Sequence, residues 1–594
     1  MLQLTIDGQR VNLDPDISLE IVKCNPFLTK IGEYTYDIDV DLRDPQNAKV
    51  YGHIDRLHAT LSPRGRTATL MDGARVICRG QEVLLGIEGT VAKIQILAGN
   101  SNFNYLLGND TNIRELDFGE MPAPTKELAN SLLTSFYPEA NFGFPEMTTN
   151  KGLANHPEVN KNYVLYPDYD DPILKPQPFV LYYVEKIVEL LGYKLSENYL
   201  SSDPRWKRLM IIDNIWSLKY ADHLPDWTIA EFIDEVEKFF NCLFLYDSID
   251  NSVKIVSLKS FYDNSHNMVC FTSSDIIDTF RRSVTDDSDI VVDYSNVRYN
   301  LPDGEDYDYY DLPDEVEKLC SIVDVDINNI DEFRYTFSHY DKIIYRDTNT
   351  GVLFAFYKES PVVNKDLPTY AIYKQVNRYK SVIRDDKKGV LELNIVPCGT
   401  SGRDISQGNG NGNNRFSYII GRPSSYTDPE EQTQTVNELF TAGPIKYDIN
   451  KRMEVCFYLG TVLNRCLTDC VIGDSPIDYS YSQSILTVKY WFDALISSSQ
   501  RVLSFSPSEC GGEEHMTLEL DGEHGRVNTD FSLRRFDAND EYSINIRTHE
   551  MLNPMSLYNI DNRLFYCKDL RYRVENGELT NIVEGKFYPA IIDI

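Results

Sequence analysis

Apolar side chains alternate with polar ones at both ends of the chain and recur at three- and four-residue spacing only in its interior. At the N-terminus Leu2, Leu4 and Ile6 share one strand face, Asp7-Gly8 can take positive φ, and Val11 and Leu13 return. This predicts a hairpin with a two-residue type I′ turn, pairing Ile6 with Gln9, Leu4 with Val11 and Leu2 with Leu13. The C-terminus repeats the design. Leu570, Tyr572 and Val574 alternate, Asn576-Gly577 turns, and Leu579 and Val583 come back. Val574 should then face Leu579, and Leu570 should face Val583. Residues 34–40 alternate as well, and Gly80, Gly86 and Gly89 break residues 75–97 into short β-rich runs.

Helical spacing marks the interior. Residues 123–135 suit a short helix. Val180, Val184, Ile187, Val188 and Leu191 trace one face of another, which Gly192 should stop. Thr228 and Glu231 form a capping-box pair ahead of Ile229, Phe232, Ile233, Val236, Phe239 and Phe240. Two short strands, 243–246 and 253–256, follow around a polar turn. Residues 166–178 read as loop, and 390–396 as a strand. Residues 401–414, rich in Gly and Asn, read as a mobile surface loop.

The fold class is therefore α+β and predominantly β, with barrel or sandwich domains and an inserted helix-plus-hairpin module. Four segments are expected: 1–118, an N-terminal β-barrel; 119–270, the α+β module; 271–430, β-rich with long loops; and 431–594, a C-terminal β domain.

Charge sharpens this picture. Over 594 residues the formal net charge is −33, yet 42% of residues are hydrophobic and 39 are tyrosines. A chain so aromatic can fold, so its acidity belongs to an ordered surface, one that repels nucleic acid. No apolar run reaches the length of a membrane helix, and the first residues carry no secretory pattern, so a cytosolic origin is expected. The 11 cysteines suit reduced, buried thiols, with Cys466 and Cys470 read as core.

Candidate chemistry is thin. Asp324, Asp326 and Asn328 begin like a calcium loop, but Asn329 and Tyr335 stand where that loop needs Gly and Glu. Glu513, Glu514, His515 and His524 match no zinc-helix spacing, and Asp521-Gly522 between them reads as a hairpin turn. No phosphate loop, nucleophile elbow or dinucleotide fingerprint occurs, and Gly408–Gly412 lacks the flanking strand and helix. No catalytic, cofactor or metal residue is assigned. The candidate interface residues are Tyr307, Tyr309 and Tyr310, set in an acidic loop, because tyrosine gives large contact area at low entropy cost.

Residues 13–21, 25–28 and 34–40, and again 562–589, resemble the start and end of tail proteins from phages and prophages of Bacteroides-type bacteria. Residues 228–233 through 253–256 are similar to the inserted lobe of phage baseplate hub proteins. The resemblance implies a non-enzymatic hub or tail-tip protein with tube-like β-barrels. It implies a homo-oligomeric ring, trimer favoured, that joins the tail tube to a tip or spike and passes DNA without specific binding. It places the chain in the virion tail, assembled in the host cytoplasm, with no membrane insertion and no cofactor. Edge strands and aromatic faces would join the copies, and an acidic lumen would keep DNA moving. A cell-wall or glycan-cleaving tail enzyme, a receptor-binding adhesin and the hub of a contractile injection system stay open as alternatives.

Overall fold

In the computed structural model of the chain, the N-terminal hairpin forms from β1 (Leu2–Ile6) and β2 (Gln9–Val11). Asp7 and Gly8 take φ of 48° and 74°, and Ile6 pairs with Gln9 and Leu4 with Val11. The pairing stops there, short of Leu13. The Asn47 side chain accepts from the Asn12 N–H at 2.7 Å and donates to the Asn12 carbonyl at 2.8 Å, which draws the chain off β1. Leu2 pairs instead with Asp72 on the other side of β1. The structure describes residues 2–59, 65–108, 111–132, 135–145, 147–149, 152–155, 174–247, 250–263, 268–284, 296–301, 381–384, 389–397, 452–458, 518, 520, 525–531, 536 and 538–591, together with short strands between 321 and 482.

β3 (Leu19–Cys24) leads into the one-turn helix α1 (Pro26–Thr29), and then β4 (Glu33–Thr35) and β5 (Ile38–Asp41) follow. The alternation over 34–40 holds only for Ile38 and Val40: the segment forms two strands, and in the first the buried residue is Thr35 while Tyr36 is exposed. β6 (Thr67–Asp72), β7 (Arg75–Glu88) and β8 (Val91–Ala98) complete the N-terminal set. β7 runs unbroken through Gly80 and Gly86, contrary to the expected three runs. At Gly80 the Leu97 carbonyl oxygen lies 2.0 Å from where a Cβ would sit, so glycine permits a close backbone approach. Gly86 sits at a register shift, and only Gly89, at φ 63°, makes a turn.

After α2 (Asn100–Leu107) the helical spacing takes effect. α3 (Val180–Leu190) buries Val180, Val184, Ile187 and Val188, and Gly192 at φ 83° follows its end. β9 (Lys194–Asn198) and β10 (Leu209–Ile211) precede α4 (Ile229–Phe240). Thr228 and Glu231 close the capping box, and every apolar residue expected on the α4 face is buried. The hairpin β11 (Cys242–Asp247) and β12 (Ser252–Ser257) follows, with β9 added in parallel. Later segments complete this body. Met453–Phe457 pairs with β10 and with Ile395–Pro397, and Leu518, Leu520, Val527 and Phe531 join the same core.

The chain then returns to the first sheet through β13 (Met268–Phe271), β14 (Ile276–Val284), β15 (Asp540–Arg547), β16 (Leu557–Ile560), β17 (Arg563–Glu575) and β18 (Glu578–Pro589). The order is β14-β15-β18-β17-β3-β4-β8-β7-β6-β1-β2, with β13 on β16, β16 on β17 and β5 on β8. Strands from 1–118 and from 431–594 therefore share one sheet. The C-terminal hairpin turns at Asn576 and Gly577 and pairs Val574 with Leu579, but Tyr572, not Leu570, faces Val583. A bulge with extra residues in β18 shifts the register by two, which keeps the apolar face inward. Leu570, Tyr572, Val574 and Val583 are all buried.

The sheet cannot be flat. β13 and β14 are joined by residues 272–275, a connection that spans at most ~17 Å. Along the pairing path β13-β16-β17-β18-β15-β14 a flat sheet would hold them ~24 Å apart. The other arm closes as well, because the Leu2 N–H on β1 donates to the Gly577 carbonyl at the tip of β17 at 3.0 Å. The curled sheet encloses one apolar core that includes Leu4, Ile21, Ile38, Ile94, Ile546, Leu570 and Phe587. The protein is α+β and predominantly β, as expected.

Thr400–Ser406 pairs antiparallel with Asn413–Ile420, so most of the segment read as a loop over 401–414 is strand. Gly408–Gly412, the acidic 303–311 loop, Asp326 to Tyr335, Cys466, Cys470, residues 513–515 and His524 lie outside the described residues. Residues 166–173 lie outside them too.

Candidate assembly surface

Tyr307, Tyr309 and Tyr310 lie outside the described residues, so the structure places none of them. Among the described residues no group of three or more His, Cys, Asp or Glu side chains could hold a metal ion, and no helix is long and apolar enough to cross a membrane.

One buried cluster superficially has catalytic composition. Asp213 accepts from Lys175 Nζ at 3.1 Å, and its other oxygen lies 2.8 Å from His223 Nδ1. Ser217 is the next group along. However, His223 Nε2 faces the Ser217 backbone carbonyl at 3.0 Å, and the Ser217 hydroxyl donates to Asp222. The imidazole has no free nitrogen with which to take a proton from the hydroxyl, so the arrangement does not activate a nucleophile. It fastens chain instead. Gln177 bonds to the backbone of Asp213, and Asn155 bonds to Lys175 N–H and to the carbonyls of Pro145 and Lys175. Burial pushes the Lys175 ammonium down. Burial would raise Asp213, but His223 and Lys175 hold its carboxyl well below the ordinary range.

A second cluster joins the curled sheet to the helical body. Lys30, in the left-handed position that caps α1, reaches α4, with Nζ 2.6 Å from Asp234 and 2.9 Å from Glu237. Burial disfavours its charge, but Glu237 and Asp234 outweigh it and raise the ammonium above its usual range. The two carboxyls respond in opposite directions. Burial dominates at Glu237 and pushes it up. At Asp234, which is more open, Lys30 and Lys238 prevail and hold it down. Asn100 completes the junction, donating to the Phe244 carbonyl and accepting from the Tyr246 N–H. Further along, Phe27 stacks on Phe261 at 4.5 Å.

A third cluster centres on Arg526, which is fully buried. It donates to the Phe239 carbonyl and to Tyr299 Oη, pairs with Asp530 and lies over the rings of Phe239, Trp206 and Phe531. These three clusters are structural fasteners, and the sequence patterns gave no sign of them, because each ties together segments that lie far apart in the chain, as Lys175 to Asp213, Lys30 to Asp234 and Arg526 to Phe239.

The exposed chemistry lies at the sheet edge. β14 ends the strand order, and every residue from Asp278 to Val284 is exposed. Its register against β15 shifts between Ile277 and Arg281, and Asp278 takes φ 64°, so Phe280 stands out in a bulge. Phe280 is 56% and Val284 71% exposed. Arg282 grips Asp540 through two hydrogen bonds, of 2.6 and 3.0 Å. Tyr542 receives the Phe280 ring at 5.5 Å and the Arg282 and Arg563 guanidiniums at 5.5 and 5.1 Å. Arg563 also donates to Tyr542 Oη at 3.0 Å. The result is an arginine-rich, aromatic edge on a chain of net charge −33.

Among solved structures the chain is similar to a 43 kDa tail protein of prophage MuSo2 from Shewanella oneidensis, at 7% identity and a TM-score of 0.31, covering 99% of this chain and 96% of that one. It is also similar to a tail protein from Neisseria meningitidis MC58, at 7% identity and a TM-score of 0.26, covering 99% and 95%. Both neighbours are tail proteins. No family model and no curated protein matches the sequence.

Proposed function

We propose that the chain is a structural component of a phage tail, at the hub or tip, and not an enzyme. One observation carries the reading. The three segments that resemble tail proteins lie far apart in sequence but meet in space: Ile21 pairs with Tyr572, and Lys30, in the turn between the opening stretches 25–28 and 34–40, bonds to Asp234. In this reading the copies form a ring, trimer favoured, between the tail tube and a tip or spike. The curled sheet is filled by its own apolar side chains, so DNA would pass between copies rather than through one. A lumen wall drawn from so acidic a chain would repel the phosphate backbone and let the polymer slide. Tyr307, Tyr309 and Tyr310 are the proposed partner contacts. The chain would act in the virion tail after assembly in the host cytoplasm. What supports a non-enzymatic role is that Ser217 and His223 are each committed to a structural partner.

The test is co-expression with the neighbouring tail-tube protein, followed by sedimentation and electron microscopy. A ring bound to tube ends is expected. A chain that stays monomeric and ignores tube protein, or that cleaves cell-wall polymer, overturns the proposal.

A further inference from the structure

We infer that Asn576 is a spontaneous deamidation site, that the seating of the C-terminal turn between β1 and the β2–β3 connection holds the reaction in check, and that the product bars the turn from seating again.

Asn576 precedes Gly577, and a glycine nitrogen, with no Cβ beside it, is the least hindered nucleophile a following residue can offer. Once that nitrogen gives up its proton to solvent base, it attacks the Asn576 side-chain carbonyl carbon. The bond to the side-chain amide nitrogen breaks, and ammonia leaves with the proton returned. Water then opens the cyclic imide at either carbonyl, giving aspartate, or isoaspartate with the main chain rerouted through the side chain. One water is consumed, one ammonia is released, and nothing is oxidised or reduced. Asn576 is exposed, so both base and water reach it.

The fold withholds the nucleophile. The Gly577 N–H donates to the Ile17 carbonyl at 3.1 Å, and the Gly577 carbonyl accepts from the Leu2 N–H at 3.0 Å. Both peptide groups of Gly577 are thus tied to the N-terminal segment, and Gly577 itself is buried. Ring closure needs that proton released and that peptide turned towards the Asn576 side chain. Asn576 and Gly577 sit at φ 51° and 69°, held by the pairs Val574–Leu579 and Glu575–Glu578. The reaction therefore waits for the turn to leave its seat, which is a local opening and not global unfolding. The product closes the way back. Glu575 and Glu578 already face each other, both exposed, and a new carboxylate joins them; isoaspartate also lengthens the backbone of a two-residue turn.

The test follows the full chain in mildly alkaline buffer across a urea series. Peptide mapping with enzymatic methyl labelling of isoaspartate separates Asn576 from Asn409-Gly410 and Asn411-Gly412, the other Asn-Gly pairs of the sequence. Hydrogen exchange reads the Gly577 amide. Leu2→Pro removes the N–H that ties the Gly577 carbonyl, at the first residue of a strand, where proline is tolerated. Conversion should be at least about tenfold slower in the folded parent than in the unfolded chain, and Leu2→Pro should recover part of that difference while still folded. Below the unfolding transition, conversion and Gly577 exchange should rise together. Equal rates in the folded and unfolded chain, or no conversion in the unfolded chain, overturn the site. A folded Leu2→Pro chain that converts no faster than the parent overturns the gate; if that variant does not fold, a conversion rate that does not follow Gly577 exchange overturns it instead. Converted chain, separated from the parent, should unfold at lower urea, and an equal midpoint overturns the one-way step.

Discussion

The backbone N–H of Leu2 donates to the carbonyl of Gly577 at 3.0 Å, across almost the whole length of the chain. On the other side of that tip the Gly577 N–H donates to the Ile17 carbonyl, and the Pro15 carbonyl lies 2.7 Å from where a Gly577 Cβ would stand. The C-terminal turn is thus seated between β1 and the β2–β3 connection, and that contact closes one arm of the sheet.

Gly577 takes φ 69°, so Gly577→Ala meets both an unfavourable backbone region and the Pro15 carbonyl. It should cost at least about 1–2 kcal/mol, read as a lower urea midpoint. An unchanged midpoint would mean that the seat is not needed for closure.

Lys30 is the polar link between the sheet and α4. Lys30→Ala leaves the buried Glu237 carboxyl without its cation and should cost about 1.5–3 kcal/mol. Limited proteolysis should then cut sooner between residues 98 and 110. Lys30→Ala with Glu237→Gln should recover part of the loss, because no buried charge is left alone.

Asp213 gives an acid-side dependence. Its carboxyl is held below the ordinary value of 3.8, so the folded state binds this proton less readily than the unfolded one. Its stabilisation is present above about pH 4 and is lost as pH falls further. Stability measured from pH 6 to pH 2 should fall more steeply for the parent than for Asp213→Asn, which starts lower because Lys175 and His223 lose their partner. Parallel curves would sink the assignment.

Phe232 and Phe280 separate core from surface. Phe232 is fully buried on α4, and Phe232→Ala should cost about 3–5 kcal/mol. Phe280→Ala, out in the β14 bulge, should stay within roughly 1 kcal/mol in dilute solution. Comparable losses would show that the bulge is packed, not presented.

Much of the local structure was legible. Asp7-Gly8 and Asn576-Gly577 specify their turns because only such residues take positive φ at low cost, and Thr228 with Glu231 marks the start of α4 because capping chemistry is local. Gly80 and Gly86 misled, since a glycine that permits close approach or a bulge looks in sequence like one that ends a strand. The Leu570 register failed because extra residues in β18 are invisible to a period of two. Nothing in the sequence brought Lys175, Asp213 and His223 together, because their chemistry exists only once three separate segments pack.

By itself, then, the chain determined its periodicities, its turns, its caps and its acidic, aromatic character, all of which depend on neighbours a few residues apart. Folding decided that residues 2–98 and 540–589 share one curled sheet, that Lys30 locks to Asp234, and that Phe280 is pushed out beside Arg282 at an edge. Those outcomes depend on which surfaces exclude water together, and that is a property of the whole packed chain.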